Sequence, residues 1–386
     1  MNERPVIFNP GTPVAADAEA IEQALAPFWA VAAGAAGVRR KELPFIRACS
    51  CNVVAIADTQ EEAGMMPPIL AKVSEWHPCR SIITYRESDS EGAQHDARPH
   101  MHAWISAQCS IPFPGGPQIC CEAITLSAQG QAFADLPNTV LSLLMPDLPI
   151  FLYWRSFRGE NRAMVERLAQ FSNLLIVDSH AAKEDRSNRE RLLELLDSPP
   201  GNMPVRDLNW SRLTAWRDLI AQFFDPPSSR HYAREISEVE IYRAIEAPGK
   251  VPTRTLLLTG WLASRLGWRR ISAERVGDQW LSRWNSRQGE ILVRFSGQPS
   301  TSDEAPGISS ITLKTRTGAT FSVIREVGSS CLKSAASFEG SQLAHSVPLD
   351  IMDEGLLLIH ELYLTGEDVG FKAALAEALA LERSFS

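Results

Sequence analysis

A carboxylate set into a turn is the first chemistry this chain offers. In Leu141-Ser-Leu-Leu-Met-Pro-Asp-Leu-Pro-Ile-Phe-Leu-Tyr-Trp154 an apolar, helix-like run breaks at Met145-Pro-Asp147, and an aromatic and branched run starts with Pro149 close behind. Asp147 therefore sits in a helix–turn–strand junction, with Trp154 at the end of the strand. Leu174-Leu-Ile-Val-Asp-Ser-His180 echoes the pattern with Asp178. Strand ends are where α/β folds place ligands, so the two aspartates mark a candidate site. Arg212 would be its cation. At about 100° per residue, Leu213, Trp216, Leu219, Ile220, Phe223 and Phe224 form one helical stripe. Arg212 points into that stripe in the first turn, where the helix dipole disfavours a cation. Two readings fit it: a partner such as Asp178, Asp207 or a ligand carboxylate or phosphate, or a side chain that snorkels onto a local aspartate. Asp147, Trp154, Asp178, Arg212 and Trp216 thus make the candidate cleft, with Asp147, Trp154, Asp178 and Trp216 read first as fold-defining residues around it and second as a ligand pocket.

Catalytic signatures are missing around it. Asp178-Ser-His180 has triad residue types, but neighbours on a strand end diverge, and triads are assembled from distant segments. The chain has no Gly-x-Ser-x-Gly, no phosphate loop ending Gly-Lys-Ser/Thr and no Gly-x-Gly-x-x-Gly after a strand. That points away from an enzyme and from a bound cofactor. In Cys120-Cys-Glu-Ala-Ile-Thr-Leu126, Glu122 shares a face with Cys120, Ile124 and Leu126, which suits a structural pairing to an arginine or an interface contact better than a general base, since no nucleophile is tied to it in sequence. Cys49-x-Cys51, Cys120-Cys121, His77-x-Cys79 and His100-x-His102 raise a metal reading. None has the paired two-residue spacing of a zinc site, so buried thiols and no metal are expected, with an inter-strand disulfide left open.

The elements that must carry these residues alternate. An amphipathic helix over 17–36 precedes a strand at Ala48–Ala57, a helix at Glu61–Trp76 and a strand at Arg80–Arg86. A polar loop over Ser88–Arg98 leads to a hairpin, Met101–Ile111 with Gln118–Ser127. Helix Phe133–Leu144, strand Ile150–Trp154, helix Arg162–Phe171 and strand Leu174–Asp178 follow. This is an α/β domain with a mixed, largely parallel sheet and an antiparallel hairpin. Asp225-Pro-Pro-Ser-Ser-Arg230 breaks the pattern, so the expected domains are 1–226 and a smaller α+β domain over 227–386 with an antiparallel sheet. Its strands are expected at Glu235–Arg243, Glu290–Phe295, Ile308–Arg316 and Thr320–Glu326, and helices at Thr253–Leu266 and Asp368–Glu382. The helix Thr253–Leu266 is apolar on nearly every side, ends at Gly267 and keeps one polar stripe. That stripe carries Arg254, Trp261 and Arg265, two guanidiniums around an indole, which either anchor an acidic partner surface or snorkel along a buried edge.

Composition narrows the setting. The 386 residues carry a formal net charge of −8, which disfavours non-specific nucleic-acid binding. No apolar run is long enough to cross a membrane, the N-terminus has no export pattern, and seven scattered cysteines suit reduced thiols in the cytoplasm.

His77-Pro-Cys-Arg80, Cys120–Leu126, Pro146–Trp154, Ile176-Val-Asp-Ser179, Asp207-Leu-Asn-Trp210 with Leu213-Thr-Ala-Trp-Arg217, and Gly260-Trp-Leu-Ala-Ser-Arg-Leu-Gly-Trp268 occur here in one order. That set closely resembles the OpcA family of glucose-6-phosphate dehydrogenase assembly proteins, from about Glu75 to Trp268. The resemblance implies a non-catalytic assembly factor or allosteric activator that binds glucose-6-phosphate dehydrogenase and supports the oxidative pentose phosphate pathway and NADPH supply. The family's association with redox control adds a thioredoxin-type partner, although the cysteines here match no regulatory pair. On this reading Arg254, Trp261 and Arg265 are the interface candidates. The alternative is a sugar-phosphate sensor or enzyme that uses the strand-end cleft near Asp147 and Asp178.

Overall fold

The computed structural model describes residues 6–8, 14–15, 17–25, 45–87, 100–111, 113–114, 116–182, 186–245, 251–277, 279–299, 307–325, 331–348, 353–364 and 366–385. Ten strands make the first sheet: β1 (Val6–Phe8), β2 (Val14–Ala15), β3 (Phe45–Arg47), β4 (Cys51–Ile56), β5 (Cys79–Arg86), β6 (Met101–Ser110), β7 (Gln118–Ala128), β8 (Ile150–Trp154), β9 (Leu174–Val177) and β10 (Val205–Asp207). Between them run α1 (18–25), α2 (Gln60–Trp76), α3 (Ala132–Leu143), α4 (Arg162–Ala169) and α5 (Arg186–Asp197). The strand order is β1-β6-β7-β5-β4-β8-β9-β10, with β2 on β6 and β3 on β7. From β7 across to β10 every pair is parallel, and β6 joins β7 as an antiparallel hairpin. The expected largely parallel sheet with its hairpin is what forms. The reason is legible in the strands: β4 is buried at every position, as an interior strand covered on both faces must be. Of the predicted opening helix, 18–25 is helical and 26–36 lies outside the described residues, as does the predicted loop Ser88–Arg98.

The second sheet has eight strands: β11 (Ile236–Ile245), β12 (Arg269–Val276), β13 (Gln279–Ser286), β14 (Gly289–Pro299), β15 (Gly307–Thr315), β16 (Thr320–Arg325), β17 (Cys331–Phe338) and β18 (Ser341–Pro348). Around it in sequence lie the single turns α6 (Leu208–Ser211) and α8 (Tyr232–Glu235), with α7 (Thr214–Gln222), α9 (Thr253–Leu266), α10 (Glu354–Tyr363) and α11 (Val369–Ser384). The order is β12-β13-β14-β11-β15-β16-β17-β18. This sheet is mixed, which corrects the expectation of a purely antiparallel one. After β11 the chain passes through α9 and the β12–β13 hairpin, and that crossover returns β14 parallel to β11.

Packing divides the chain into two compact units rather than at one cut after residue 226. The first unit gathers Met1–Lys183, Asp197–Leu208 and Asp353–Glu367; the second gathers Glu184–Leu196, Asn209–Met352 and Asp368–Ser386. In the first, Met66, Leu70 and Val73 of α2 meet Val53, Ile83 and Tyr153 of the sheet and Leu357, Leu358 and Ile359 of α10 in one buried core. In the second, α9 and α11 pack backbone to backbone at Gly260, where an added β-carbon would stand 2.1 Å from the Ala374 carbonyl oxygen. Gly267 ends α9 in the left-handed conformation (φ 65°), as its sequence position predicted.

Two buried polar features brace the first sheet. Arg80 is buried beneath it and donates through Nε to Glu122 Oε2 (2.6 Å), and through Nη1 to Glu22 Oε1 (2.6 Å) and the Leu143 carbonyl (2.5 Å). Arg47 also pairs with Glu122. The expected structural pairing of Glu122 with an arginine is therefore present. Cys109 and Cys120 face each other in register across β6 and β7, with Cα atoms 4.0 Å apart, and form a disulfide. The inter-strand disulfide that the sequence leaves open is formed by this pair, so the reading of all seven cysteines as reduced thiols does not hold. Both sulfurs are buried, so a thioredoxin-type partner would meet this pair only after the hairpin opened.

Candidate functional site

Taken in sequence, the six strands from β7 to β10 have the order 3-2-1-4-5-6 of a dinucleotide-binding sheet. The order reverses between β4 and β8, and the crevice at their carboxyl ends is where that architecture seats a pyrophosphate, on the helix N-terminus after the first strand. Here that crevice holds carboxylates. Asp58 follows β4; its Oδ1 accepts from Trp154 Nε1 (3.2 Å) and Asn161 Nδ2 (2.6 Å), and its Oδ2 accepts from the Arg158 N–H (2.8 Å). Ser156 Oγ lies 2.9 Å from Asp58 Oδ2 and 2.8 Å from Glu62 Oε2. Glu62 Oε2 also accepts the Asp58 N–H at 2.9 Å, while Thr59 Oγ1 caps α2 by accepting the Glu62 N–H at 3.1 Å. Burial pushes the Glu62 carboxyl up, against hydrogen bonds from the Asp58 backbone and Ser156. Beside it, Arg155 pairs with Glu354 through Nε (2.8 Å) and Nη2 (3.1 Å), and the Tyr153 hydroxyl donates to the same carboxylate. Burial drives the Tyr153 hydroxyl well above the ordinary phenol range.

A pyrophosphate is held by N–H donors at a helix N-terminus; here Asp58 in the turn and Glu62 in the first turn of α2 put two carboxylates there, and the Asp58 and Glu62 N–H groups are bonded to Glu62 Oε2 and Thr59 Oγ1. Among sequence expectations, Trp154 belongs to this cluster. Asp178 is buried at the end of β9 and accepts the His180 N–H (3.0 Å). Asp147 precedes β8, so it lies at the opposite end of the parallel strands from Asp178 and is exposed, with φ 61°. The structure does not bring the two aspartates into one cleft. Ser179 donates its N–H and hydroxyl to Asp207 on the neighbouring strand β10 (2.8 and 2.7 Å).

Arg212 and Trp216 belong to the second unit. Trp216, Leu219 and Ile220 are the buried face of α7, while Phe223 and Phe224 pack on Phe321 at ring separations of 5.3 and 5.0 Å. Arg212 lies in the turn between α6 and α7, not on the α7 face. The chain breaks the helix there, which the stripe of apolar residues alone did not reveal.

Comparison with known proteins decides the lineage. A family profile described as the N-terminal domain of a glucose-6-phosphate dehydrogenase subunit matches residues 71–194, and one described as that subunit's C-terminal domain matches residues 203–375. The chain belongs to the OpcA family. A protein of Nostoc punctiforme named as OpcA of the OxPP cycle is 35% identical over 239 residues, 60% of this chain and 48% of that protein. Its namesake in Synechococcus elongatus is 31% identical over 211 residues, 54% of this chain and 44% of that one. The chain thus spans about half the length or less of these OpcA relatives. Among solved structures, an oxidoreductase from Sinorhizobium meliloti matches with a TM-score of 0.51 at 8% identity, over 87% of this chain and 97% of that one. An NAD binding oxidoreductase from Klebsiella pneumoniae matches with a TM-score of 0.48 at 10% identity, over 87% and 97%. The first of these likenesses speaks to fold alone.

The helix face singled out in this OpcA member is narrow. Arg254 and Trp261 are half-buried and Arg265 is exposed on α9, with the Arg254 guanidinium against Gly307 and that of Arg265 against Gly370. They span about 16 Å of helix at 1.5 Å per residue. Sequence reasoning missed Asp58, Glu62, Ser156, Asn161, Arg155 and Glu354. Only Asp58-Thr-x-x-Glu62, a capping pattern directly after an apolar strand, could have shown where part of that cluster sits.

Proposed function

We propose that this chain is a cytoplasmic, non-catalytic partner of glucose-6-phosphate dehydrogenase, an assembly factor and allosteric activator in the oxidative pentose phosphate pathway. The observation that carries the non-catalytic half is the crevice between β4 and β8. Its Asp58 and Glu62 carboxylates are engaged by Trp154, Ser156, Asn161 and backbone N–H groups, so two acidic side chains stand where a dinucleotide would bring its pyrophosphate charge. Family membership supports the identity of the partner. Activation then requires that this chain bind the dehydrogenase's active state more tightly than its inactive one. Arg254, Trp261 and Arg265 are the proposed contact residues, a half-buried indole flanked by two cations on the least buried stripe of α9.

The test is dehydrogenase kinetics with and without this protein, using the enzyme from the same cell. The expected result is a saturable fall in half-saturating glucose 6-phosphate or a shift in oligomer size. Trp261→Ala with Arg265→Glu should weaken the effect at least tenfold while the melting profile is kept. No change in rate, affinity or assembly under reducing and oxidising conditions overturns the activator reading.

A second reading has its own observation. A groove of about 550 Å³ beside α3 and α4 is lined by Arg86, Arg167, Phe133, Pro137 and Met164, with the Arg86 guanidinium 5.5 Å from the Phe133 ring centre. Two cations over an apolar floor suit a small phosphorylated ligand better than Asp147 and Asp178 do. Thermal stabilisation of the isolated protein by sugar phosphates, lost in Arg86→Ala, would favour this sensor.

A further inference from the structure

Glu87, His100 and His102 converge at the carboxyl edge of β5 and β7. β7 fixes both arms of the cluster: the Glu87 N–H donates to the Ala128 carbonyl (3.0 Å), and the Gln129 N–H donates to the His100 carbonyl (3.0 Å). His102 stands opposite Ser127 in the β6–β7 register, and the Ser127 hydroxyl donates to Glu87 Oε1. His100 and His102 are two apart on extended chain, so their rings leave the same side. Their centres are 4.8 Å apart, and the Trp104 ring continues the row 5.9 Å beyond His102.

The ligand atoms are spaced for an ion. His100 Nε2 is 3.1 Å from Glu87 Oε2, His102 Nδ1 is 3.6 Å from Glu87 Oε1, and one donor atom of each residue lies within 4.8 Å of the others. Zinc bonds of about 2.0–2.1 Å place tetrahedral ligands about 3.3–3.4 Å apart, a spacing bracketed by the two histidine–carboxylate separations, each to its own oxygen of Glu87. Two imidazoles and one carboxylate form a ligand set that leaves positions open, and imidazole selects zinc-class transition ions over magnesium or calcium. Ser127 supplies the outer hydrogen bond that orients a ligating carboxylate. Side-chain exposures of 36% for His100, 42% for His102 and 23% for Glu87 leave an ion a path in.

We propose that Glu87, His100 and His102 form a three-ligand site for a zinc-class divalent cation. Spacing alone concealed it, because His100-x-His102 needs its third ligand from the far side of a segment, thirteen residues upstream. The site is independent of the partner reading: it belongs to this chain alone and is tested without any dehydrogenase.

The full-length chain, stripped with chelator, is dialysed against Zn(II) and separately against Co(II), with bound metal and cobalt visible absorption measured. One retained equivalent is expected, with cobalt absorption of low-coordinate nitrogen–oxygen ligation. His100→Ala and His102→Ala should each lower affinity at least tenfold, and Glu87→Gln likewise. These side chains are partly exposed, so the variants should melt within a few degrees of the natural chain, and circular dichroism checks that they do. No retained equivalent, or unchanged binding in the His100→Ala/His102→Ala double variant, overturns the proposal. So does a cobalt–thiolate charge-transfer band, which would assign the ion to cysteines.

Discussion

Gly260→Ala tests the helix pairing at the heart of the second unit. A β-carbon there would stand 2.1 Å from the Ala374 carbonyl oxygen and 2.9 Å from the Ala378 nitrogen. A carbon–oxygen contact settles at about 3.3–3.6 Å, so α9 and α11 must part by roughly 1.2 Å. Both obstructing atoms are backbone, and no side chain can swing aside. A radial gap of about 0.5–1 Å already forfeits a quarter to a half of each contact's attraction. The loss falls on a face that buries Phe371, Ala374, Leu375, Ala378, Leu379 and Leu381. Overpacking of this kind costs about 1–3 kcal/mol, and a clash between two backbones belongs at the top of that range. The better helix propensity of alanine returns up to about 1 kcal/mol, which leaves a net loss of about 2 kcal/mol. For a unit of this size that lowers the melting temperature by about 4–8 °C. Gly64 in α2 is the control: it is exposed and nothing lies within 4 Å of a β-carbon built there, so Gly64→Ala should gain about 0.5–1 kcal/mol. Urea and thermal melts followed by circular dichroism, with hydrogen exchange on α9 and α11 peptides, read both. A Gly260→Ala protein within about 0.5 kcal/mol of the natural chain would refute the close-packing argument.

Glu122→Ala should cost about 3–5 kcal/mol, because it leaves the buried Arg80 guanidinium short of its main partner, whereas Arg80→Met with Glu122→Leu should recover most of the loss. Equal losses in the single and double variants, measured by urea unfolding, would show that the charges do not act as a pair. Glu62 gives a pH signature. Its folded carboxyl is raised above the ordinary 4.5 by burial, so the folded chain keeps a proton that the unfolded chain releases. That contribution is whole below 4.5 and is lost as pH rises through the raised folded value. Glu62→Gln cannot ionise, so its stability relative to the natural chain should rise with pH across that window and then level off. Urea midpoints that differ by the same amount at every pH would contradict the assignment.

The sequence was most readable where one force dominated. Helix α9 was expected at Thr253–Leu266 and forms there, because an apolar run and a left-handed glycine fix its core face and its end. Strands β8, β9 and the β6–β7 hairpin were likewise legible from unbroken or alternating apolar runs. Strands β12 and β13 were not. β12 is exposed at six of its eight positions and has no buried one, so its residues (Arg269-Arg-Ile-Ser-Ala-Glu-Arg-Val276) carry no apolar rhythm to find. The site was harder still. Asp58 and Glu354 are almost three hundred residues apart in sequence, and each reaches the crevice through partners such as Ser156 and Arg155 that look ordinary in isolation. Asp147 stood out because it interrupts an apolar pattern, yet it faces solvent at the other end of the strands.

Leu357, Leu358 and Ile359 reach the first unit's core last. They follow Leu208, the residue before the chain leaves that unit, by about 150 positions. At roughly 5–20 residues per second, a ribosome needs about 7–30 s to deliver them. Through that interval Met66, Leu70 and Val73 have no α10 to cover them, and Tyr153 and Arg155 have no Glu354. The nascent first unit therefore exposes this face until α10 has been made. A fragment ending at 226 would hold that exposed state permanently and should precipitate or bind chaperones. Division of this protein for expression or fusion has to follow the path of the chain in space, with α10 supplied alongside the sheet it completes.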